Sequence, residues 1–326
     1  MSPLAMPNSS VASSCAPPPY LVAWNSLVRR SIAAWDDIAT YDQVVPKDFP
    51  GSILQEYHSL DHFLAQAGKP LMFWFFQRRS AFMAQRHMKK WSRDELDDYI
   101  LLPAARGFVL RVDCFFVSHF WRTQEHPDPD GQYLRLHQAE LESQTWSYIW
   151  IDWTCMPQSP RSLSEEAYFH RCLQTMSGII RNCGFTYFYP PFEPRLWILY
   201  EITEYVLTCS TPPGRTADIE PFLMHIDEML ETSVQATLSK HSYRCSYDRD
   251  RQYLISWLEL LVLLRRLHFS IDSIRHIMDN MTWLSCEIQI YPGVVLSRFE
   301  GTLEVNGEMH TFTPFPRWDS GKYSQA

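Results

Sequence analysis

Three short stretches gather the residue types that could do chemistry. Asp113-Cys114-Phe115-Phe116-Val117 is an apolar run that delivers Ser118, His119 and Trp121 to its end. Tyr148-Ile149-Trp150-Ile151 delivers Asp152, with Trp153, Cys155 and Gln158 close behind. In Trp197-Ile198-Leu199-Tyr200-Glu201-Ile202 a lone glutamate stands among apolar residues, one helical turn after a tryptophan. Such a carboxyl must find a partner, face a cleft or take a raised pKa. Carboxylates interleaved with tryptophan faces suit a cation, each aromatic contributing about 0.5–2 kcal/mol. Arg122, Arg161 and Arg195 could grip a diphosphate through forked hydrogen bonds.

Each of these residues also has a plainer reading. Glu201 can be an ion-pair partner, with Arg195 for example, and Asp152 can cap a following helix. Ser118 and His119 can be a satisfied polar rim. As strand neighbours their side chains diverge, so they cannot by themselves form a nucleophile–base pair. Cys155 and Ser118 are the residues that could accept an acyl group, but no base is fixed beside the cysteine, which packs equally well as a loop residue. Trp121, Trp153 and Trp197 can each be core.

The elements that must position these residues are strands alternating with helices. Phe108–Val117, Ser147–Trp153 and Ile179–Phe188 are aromatic and β-branched runs of strand type, and Leu163–Met176 is amphipathic at helical spacing. The expected fold is α/β: a parallel, flavodoxin-like sheet with helices on both faces, Asp113–Ser118 beside Ile149–Asp152. Ligands in such sheets bind outside the carboxyl ends of the strands, where Ser118, His119 and Asp152 fall, and the helix carrying Glu201 follows the third strand. The turn cluster Pro127-Asp128-Pro129-Asp130-Gly131 would loop over that edge.

Around this 108–214 core the chain divides further. Residues 1–20 read as a disordered tail ending in Pro17-Pro18-Pro19-Tyr20, either a WW-type ligand or a linker. Residues 21–107 read as helical and packed on the core, with Ser92-Arg93-Asp94-Glu95 as a capping box. No Asp or Glu occurs from His62 to Arg93, so 78–93 is a basic segment that could meet phosphates, or a solvated face. Residues 215–326 read as helices over Ile219–Leu238 and Arg251–Phe269. A β-hairpin follows, Val294–Val305 and Glu308–Phe312, turning at Asn306-Gly307. The Leu71–Phe76 and Leu258–Leu264 runs are too apolar to stay exposed, which predicts that both flanks pack on the sheet.

Composition narrows the classes. With 46% hydrophobic residues and a net charge of −8, the chain is a globular protein whose overall surface does not favour polyanions. The 108–214 core holds seven Arg, no Lys and twelve acidic residues. Eight cysteines without a C-x-x-C pair indicate neither a zinc module nor a disulfide scaffold, and no metal is expected. The apolar run Leu254–Leu264 is interrupted by Glu259 and too short to span a bilayer, and no signal peptide is evident. The expectation is a cytoplasmic protein without a transmembrane segment.

Together the three stretches resemble the Toll/interleukin-receptor (TIR) fold and its fungal relative, the heterokaryon-incompatibility (HET) domain. Asp113–His119 is similar to the first TIR strand, Trp150-Ile151-Asp152-Trp153-Thr154-Cys155-Met156-Pro157-Gln158 to the W-I-D-x-x-C-x-x-Q string of HET domains, and Trp197–Glu201 to the TIR W-C-x-x-E motif, with Ile198 replacing the cysteine. The likeness covers about a third of the chain. It implies an enzyme without a cofactor that cleaves the nicotinamide–ribose bond of NAD as substrate, with Glu201 as the acting glutamate. With the residue chemistry above, Asp152 is expected to be catalytic beside it, and Ser118, His119, Trp121, Arg122, Arg161 and Trp197 to bind. Two other classes stay open. One is an acyl or aminoacyl transferase, such as a cyclodipeptide synthase, with an RNA carrier on 78–93. The other is a non-catalytic signalling domain that self-assembles as a homo-oligomer.

Overall fold

The computed structural model describes residues 19–37, 48–66, 73–103, 109, 113–211, 213–283, 288–291 and 293–317. The tail through Pro18 therefore lies outside the described residues. Pro19 and Tyr20 open a helix, α1 (Pro19–Asp37), rather than an extended ligand.

One mixed sheet organises the chain. Its strands are β1 (Phe73–Arg78), β2 (Tyr99–Pro103), β3 (Cys114–His119), β4 (Tyr148–Trp150) and β5 (Gly184–Phe188), in the order β2-β1-β4-β3-β5. β3 runs parallel to both neighbours, pairing Phe115 with Ile149 and Ser118 with Tyr187. Asp113–Ser118 and Ile149–Asp152 are thus adjacent and parallel as expected, although β4 ends at Trp150 and Asp152 opens the short helix α6 (Asp152–Cys155).

The 21–107 stretch departs from its helical reading. β1 and β2 come from it, β1 running antiparallel to both β2 and β4. Phe73–Phe76 are all buried, and an apolar run without a period is equally a buried strand or a buried helix. α2 (Asp48–Gln55), α3 (Leu60–Leu64) and α4 (Arg79–Met83) are short. Ser92 does not open a helix through a capping box. Its hydroxyl accepts from the Asp94 amide, and only a 3₁₀ turn, Leu96–Asp98, precedes β2.

Helices cover both faces. α5 (Gln132–Glu142) lies over one, where Val117, Ile149 and Leu134 share a core. The other face, with Phe116 and Trp150, carries α7 (Leu163–Asn182) and α8 (Leu196–Thr208). A capping box between Ser162 and Glu165 starts α7, which runs past Ile179 to Asn182, so the third strand begins only at Gly184. The C-terminal helices extend this second core. The predicted 219–238 helix is two, α9 (Glu220–Glu231) and α10 (Val234–Lys240), parted where Ser233 caps the second. α11 (Asp248–Arg266) packs along α8, and α12 (Ile271–Trp283) against α7 and α8.

A four-stranded antiparallel sheet follows α12, β6 (Ile288–Tyr291), β7 (Val294–Ser297), β8 (Thr302–Val305) and β9 (Glu308–Thr311). Asn306 and Gly307 have φ of 53° and 86°, the type I′ turn their sequence predicts. The long first strand read from the sequence is instead β7 and β8, turned at Gly301. Its φ of 68° brings it so close to the Phe312 carbonyl that a Cβ would lie 2.2 Å away. No described helix is long and apolar enough to cross a membrane.

Candidate functional site

β3 sorts its two polar residues by parity. Ser118 follows Phe116 and faces α8; His119 follows Val117 and faces α5. On the α8 side the Ser118 hydroxyl donates to Glu201 Oε2. On the α5 side the His119 ring lies 5.6 Å from Tyr133 and 6.3 Å from His137. The His137 imidazole is fully enclosed, and burial pushes its pKa down to about 3.

Asp152 stands at the rim, its side chain 34% exposed. One carboxyl oxygen accepts from Trp121 Nε1 at 2.7 Å; the other accepts from the Trp153 amide at 2.6 Å and lies 3.5 Å from His119 Nε2. Gln158 fixes the Asp152 carbonyl at 2.8 Å, and Trp121 and Trp153 meet edge to face at 5.3 Å. Asp152 therefore does bond the first turn of a helix, but from the rim and with a tryptophan also bound to it.

Glu201 is half-buried on α8, and its pKa is raised to about 8. Burial is the main cause, the charge of Asp152 adds to it, and the Ser118 hydrogen bond partly offsets both. Among the described residues no Lys or Arg pairs with Glu201. Arg195, the partner suggested by sequence, binds Glu193 at 2.8 Å. Tyr189, just past β5, joins the group: its hydroxyl is enclosed and is pushed up by burial and by Glu201, while a loose hydrogen-bonding contact with Ser118 opposes the rise.

The structure thus brings Ser118, His119, Trp121, Asp152 and Glu201 to one end of the sheet. Four other candidates do not join them. Trp197 meets Tyr200 at 5.7 Å and turns toward Asp250 of α11, because the first turn of α8 is wedged against that helix. Arg122 is tied to Asp130 within its own loop. Arg161 is held by Glu166 at 2.6 Å and lies 3.7 Å from the centre of the Phe169 ring. Cys155 is buried with its Sγ 3.5 Å from the Ile149 carbonyl, and burial pushes its thiol up to about 11, which disfavours a nucleophilic thiolate.

The basic 78–93 segment is not a helix but β1, α4 and a loop, and much of its charge is spent internally. Arg79 binds the Glu142 and Gln144 carbonyls, Lys89 binds Glu95, Lys90 binds the Ser159 carbonyl, and Arg93 binds Asp61 and Glu165. Among the described residues no group of three or more His, Cys, Asp or Glu is arranged to hold a metal ion. An open depression of about 500 Å³, lined by Val22, Asn25, Arg29 and Tyr57, contains none of the site residues.

Tyr189 is the member that sequence reading missed. Its signal was the Thr186-Tyr187-Phe188-Tyr189 run, whose last residue lies past the end of the parallel strand on the Ser118 side.

No family profile, curated protein or solved structure matches this chain.

Proposed function

We propose that the chain is a TIR/HET-like enzyme that binds a cationic substrate at the Glu201–Asp152 edge and hydrolyses the nicotinamide–ribose bond of NAD. The observation that carries the reading is Glu201 itself: a desolvated carboxyl held by a hydroxyl rather than a cation, with a second acid near enough to raise its pKa. A cation arriving there supplies the counter-charge the fold leaves out. At neutral pH the resting Glu201 holds its proton; a bound cation favours the ionised form and displaces it.

In the reaction the C1′–N bond breaks and its electron pair leaves with nicotinamide. The ribosyl carbon, positively charged in the transition state, takes a water oxygen, and the water proton is released. Glu201 stabilises that charge, as carboxylates do in glycoside hydrolysis. Asp152 adds negative potential at the rim, and Trp121 keeps its carboxyl aimed. What supports the reading is the parallel order β4-β3-β5 with α8 over β3, since ligands of parallel sheets bind outside the strand carboxyl ends. Trp197, Arg122 and Arg161 take no part in this version of the site.

The test is nicotinamide release from NAD by the purified chain, followed by chromatography. Glu201→Gln, which keeps the Ser118 hydrogen bond, is expected to fold and to lose about 3–5 kcal/mol of barrier lowering. Turnover by Glu201→Gln at the rate of the unaltered chain, or no release by the unaltered chain, overturns the reading.

A further inference from the structure

The cation reading leaves one observation without a role. The Tyr189 hydroxyl is wholly enclosed and closes no full hydrogen bond among the described residues, with Ser118 in loose hydrogen-bonding contact, although an under-satisfied buried hydroxyl is costly. Glu201 and Ser118 act on it most strongly, Tyr187 and Asp218 less so, and its ring is fixed by Phe120 at 5.4 Å and Tyr187 at 5.2 Å. A rigid donor is therefore held beside a serine whose own proton already points at a carboxyl.

We propose that Ser118 is an acylatable nucleophile, with Glu201 as its general base and the Tyr189 hydroxyl as donor to the oxyanion, acting on small carboxylic esters or thioesters. A serine nucleophile needs a base in contact and a preorganised donor for the developing charge. The adjacent histidine cannot be that base, because His119 projects from the opposite face of the sheet. Glu201 comes to the hydroxyl from α8, 83 residues along the chain. A base with a pKa of about 8 is well matched to removing a hydroxyl proton near neutrality. Ser118 is only 1% exposed, which restricts the acyl group to a small one.

The step balances within these groups. Ser118 Oγ attacks the carbonyl carbon and its proton passes to Glu201 Oε2. The carbonyl electron pair becomes an oxyanion that accepts from Tyr189. Collapse expels the alkoxide or thiolate, which takes the proton from Glu201 and leaves an acyl ester on Ser118. Water then attacks that ester, giving its proton to Glu201; the acyl–Oγ bond breaks and Oγ regains a proton. The products are the carboxylic acid and the alcohol or thiol.

The experiment treats the full chain with p-nitrophenyl acetate, recording p-nitrophenolate release and locating the acetyl group by peptide mass spectrometry. No NAD is present, so its outcome is separate from that of the NAD reading. The expected result is one acetyl group on the Ser118 peptide, formed at a rate that rises with pH and levels above about pH 8. Ser118→Ala abolishes that label, and Tyr189→Phe slows labelling by about 10²-fold, the scale of a lost oxyanion donor. Should Tyr189→Phe fail to fold, the pH profile and the labelled position still decide. Acetyl groups on lysines alone, Ser118→Ala releasing p-nitrophenolate at an unchanged rate, or a rate without the limb near pH 8 overturns the proposal.

Discussion

Glu201 and Glu204 lie on the same helix less than one turn apart, and burial raises the pKa of both, yet the fold gives them different partners. Glu204 has a 0% exposed side chain and is held by the equally enclosed Arg181 at 2.5 Å and by Trp257 Nε1 at 2.5 Å. Glu204 thereby joins α7, α8 and α11, and Arg181 also binds Asp279 of α12 at 2.8 Å. Burial alone would lower the Arg181 pKa; its two acidic partners more than offset that and raise it. Glu201 receives a serine hydroxyl and the repulsion of Asp152. The same residue type on one helix is structural where a neighbouring helix supplies a cation and chemically poised where none does. At Glu201 the charge of Asp152 adds to the rise that burial causes, whereas at Glu204 Arg181 and Trp257 oppose it.

The sharpest way to break this contrast is stability. Glu204→Ala takes from Arg181 its fully buried carboxylate partner and leaves the Trp257 N–H without its acceptor, and should cost about 3–5 kcal/mol in urea unfolding. A cost near zero would mean that Glu204 does not hold these helices together. Glu201→Gln should act in the other direction. Its carboxyl is raised from 4.5 to about 8 in the folded chain, so between those values the folded state holds a proton that the unfolded state has released. Stability is therefore lost as pH rises through that window, by an amount on the order of a few kcal/mol. Glu201→Gln removes the loss, so its stability relative to the unaltered chain should grow from pH 5 to pH 8. A constant difference in melting temperature across that range would contradict the assignment.

How much of this was legible in the residues differs from one part of the molecule to another. The parallel β3–β4 pair, the helix bearing Glu201 and the Asn306-Gly307 turn were readable because apolar runs, helical spacing and a two-residue turn are local signals. β1 and β2 were not: Phe73–Phe76 is apolar without a period, and only the neighbouring strands decide that it is extended. The Ile219–Leu238 helix was read through its break because Thr232-Ser233 interrupts the backbone without interrupting the apolar spacing. Within the site, the Ser118 side of β3 and the rim position of Asp152 were foreseeable from strand parity and strand ends. Three features were not. The turning away of Trp197 depends on α11, the roles of Glu201 and Glu204 depend on where Arg181 lies, and Tyr189 depends on the β3–β5 register. Each is set by contacts distant in sequence.

Two smaller effects sharpen the boundary of the site. Trp121→Phe removes the indole donor to Asp152 while keeping an aromatic ring, and should cost about 0.5–1.5 kcal/mol in kcat/KM of the proposed NAD hydrolysis, with the fold intact by circular dichroism. Loss of structure instead would make Trp121 a core residue. Arg161→Ala breaks a contact to Glu166 that lies outside the Glu201 edge; its cost in unfolding free energy should be under about 1 kcal/mol, with kcat/KM unchanged. A marked fall in kcat/KM would return Arg161 to the site.

The most direct test of the contrast needs no substrate. Side-chain carboxyl carbons of glutamate are labelled with ¹³C, and Glu201 and Glu204 are assigned by their Gln variants and titrated by NMR in the folded chain. The Glu201 resonance should move with a midpoint near pH 8, and Ser118→Ala should raise that midpoint by removing the hydrogen bond that favours the anion. A Glu201 midpoint near 4.5, the ordinary value for glutamate, would mean that the carboxyl is solvated or already paired, and would contradict the central claim.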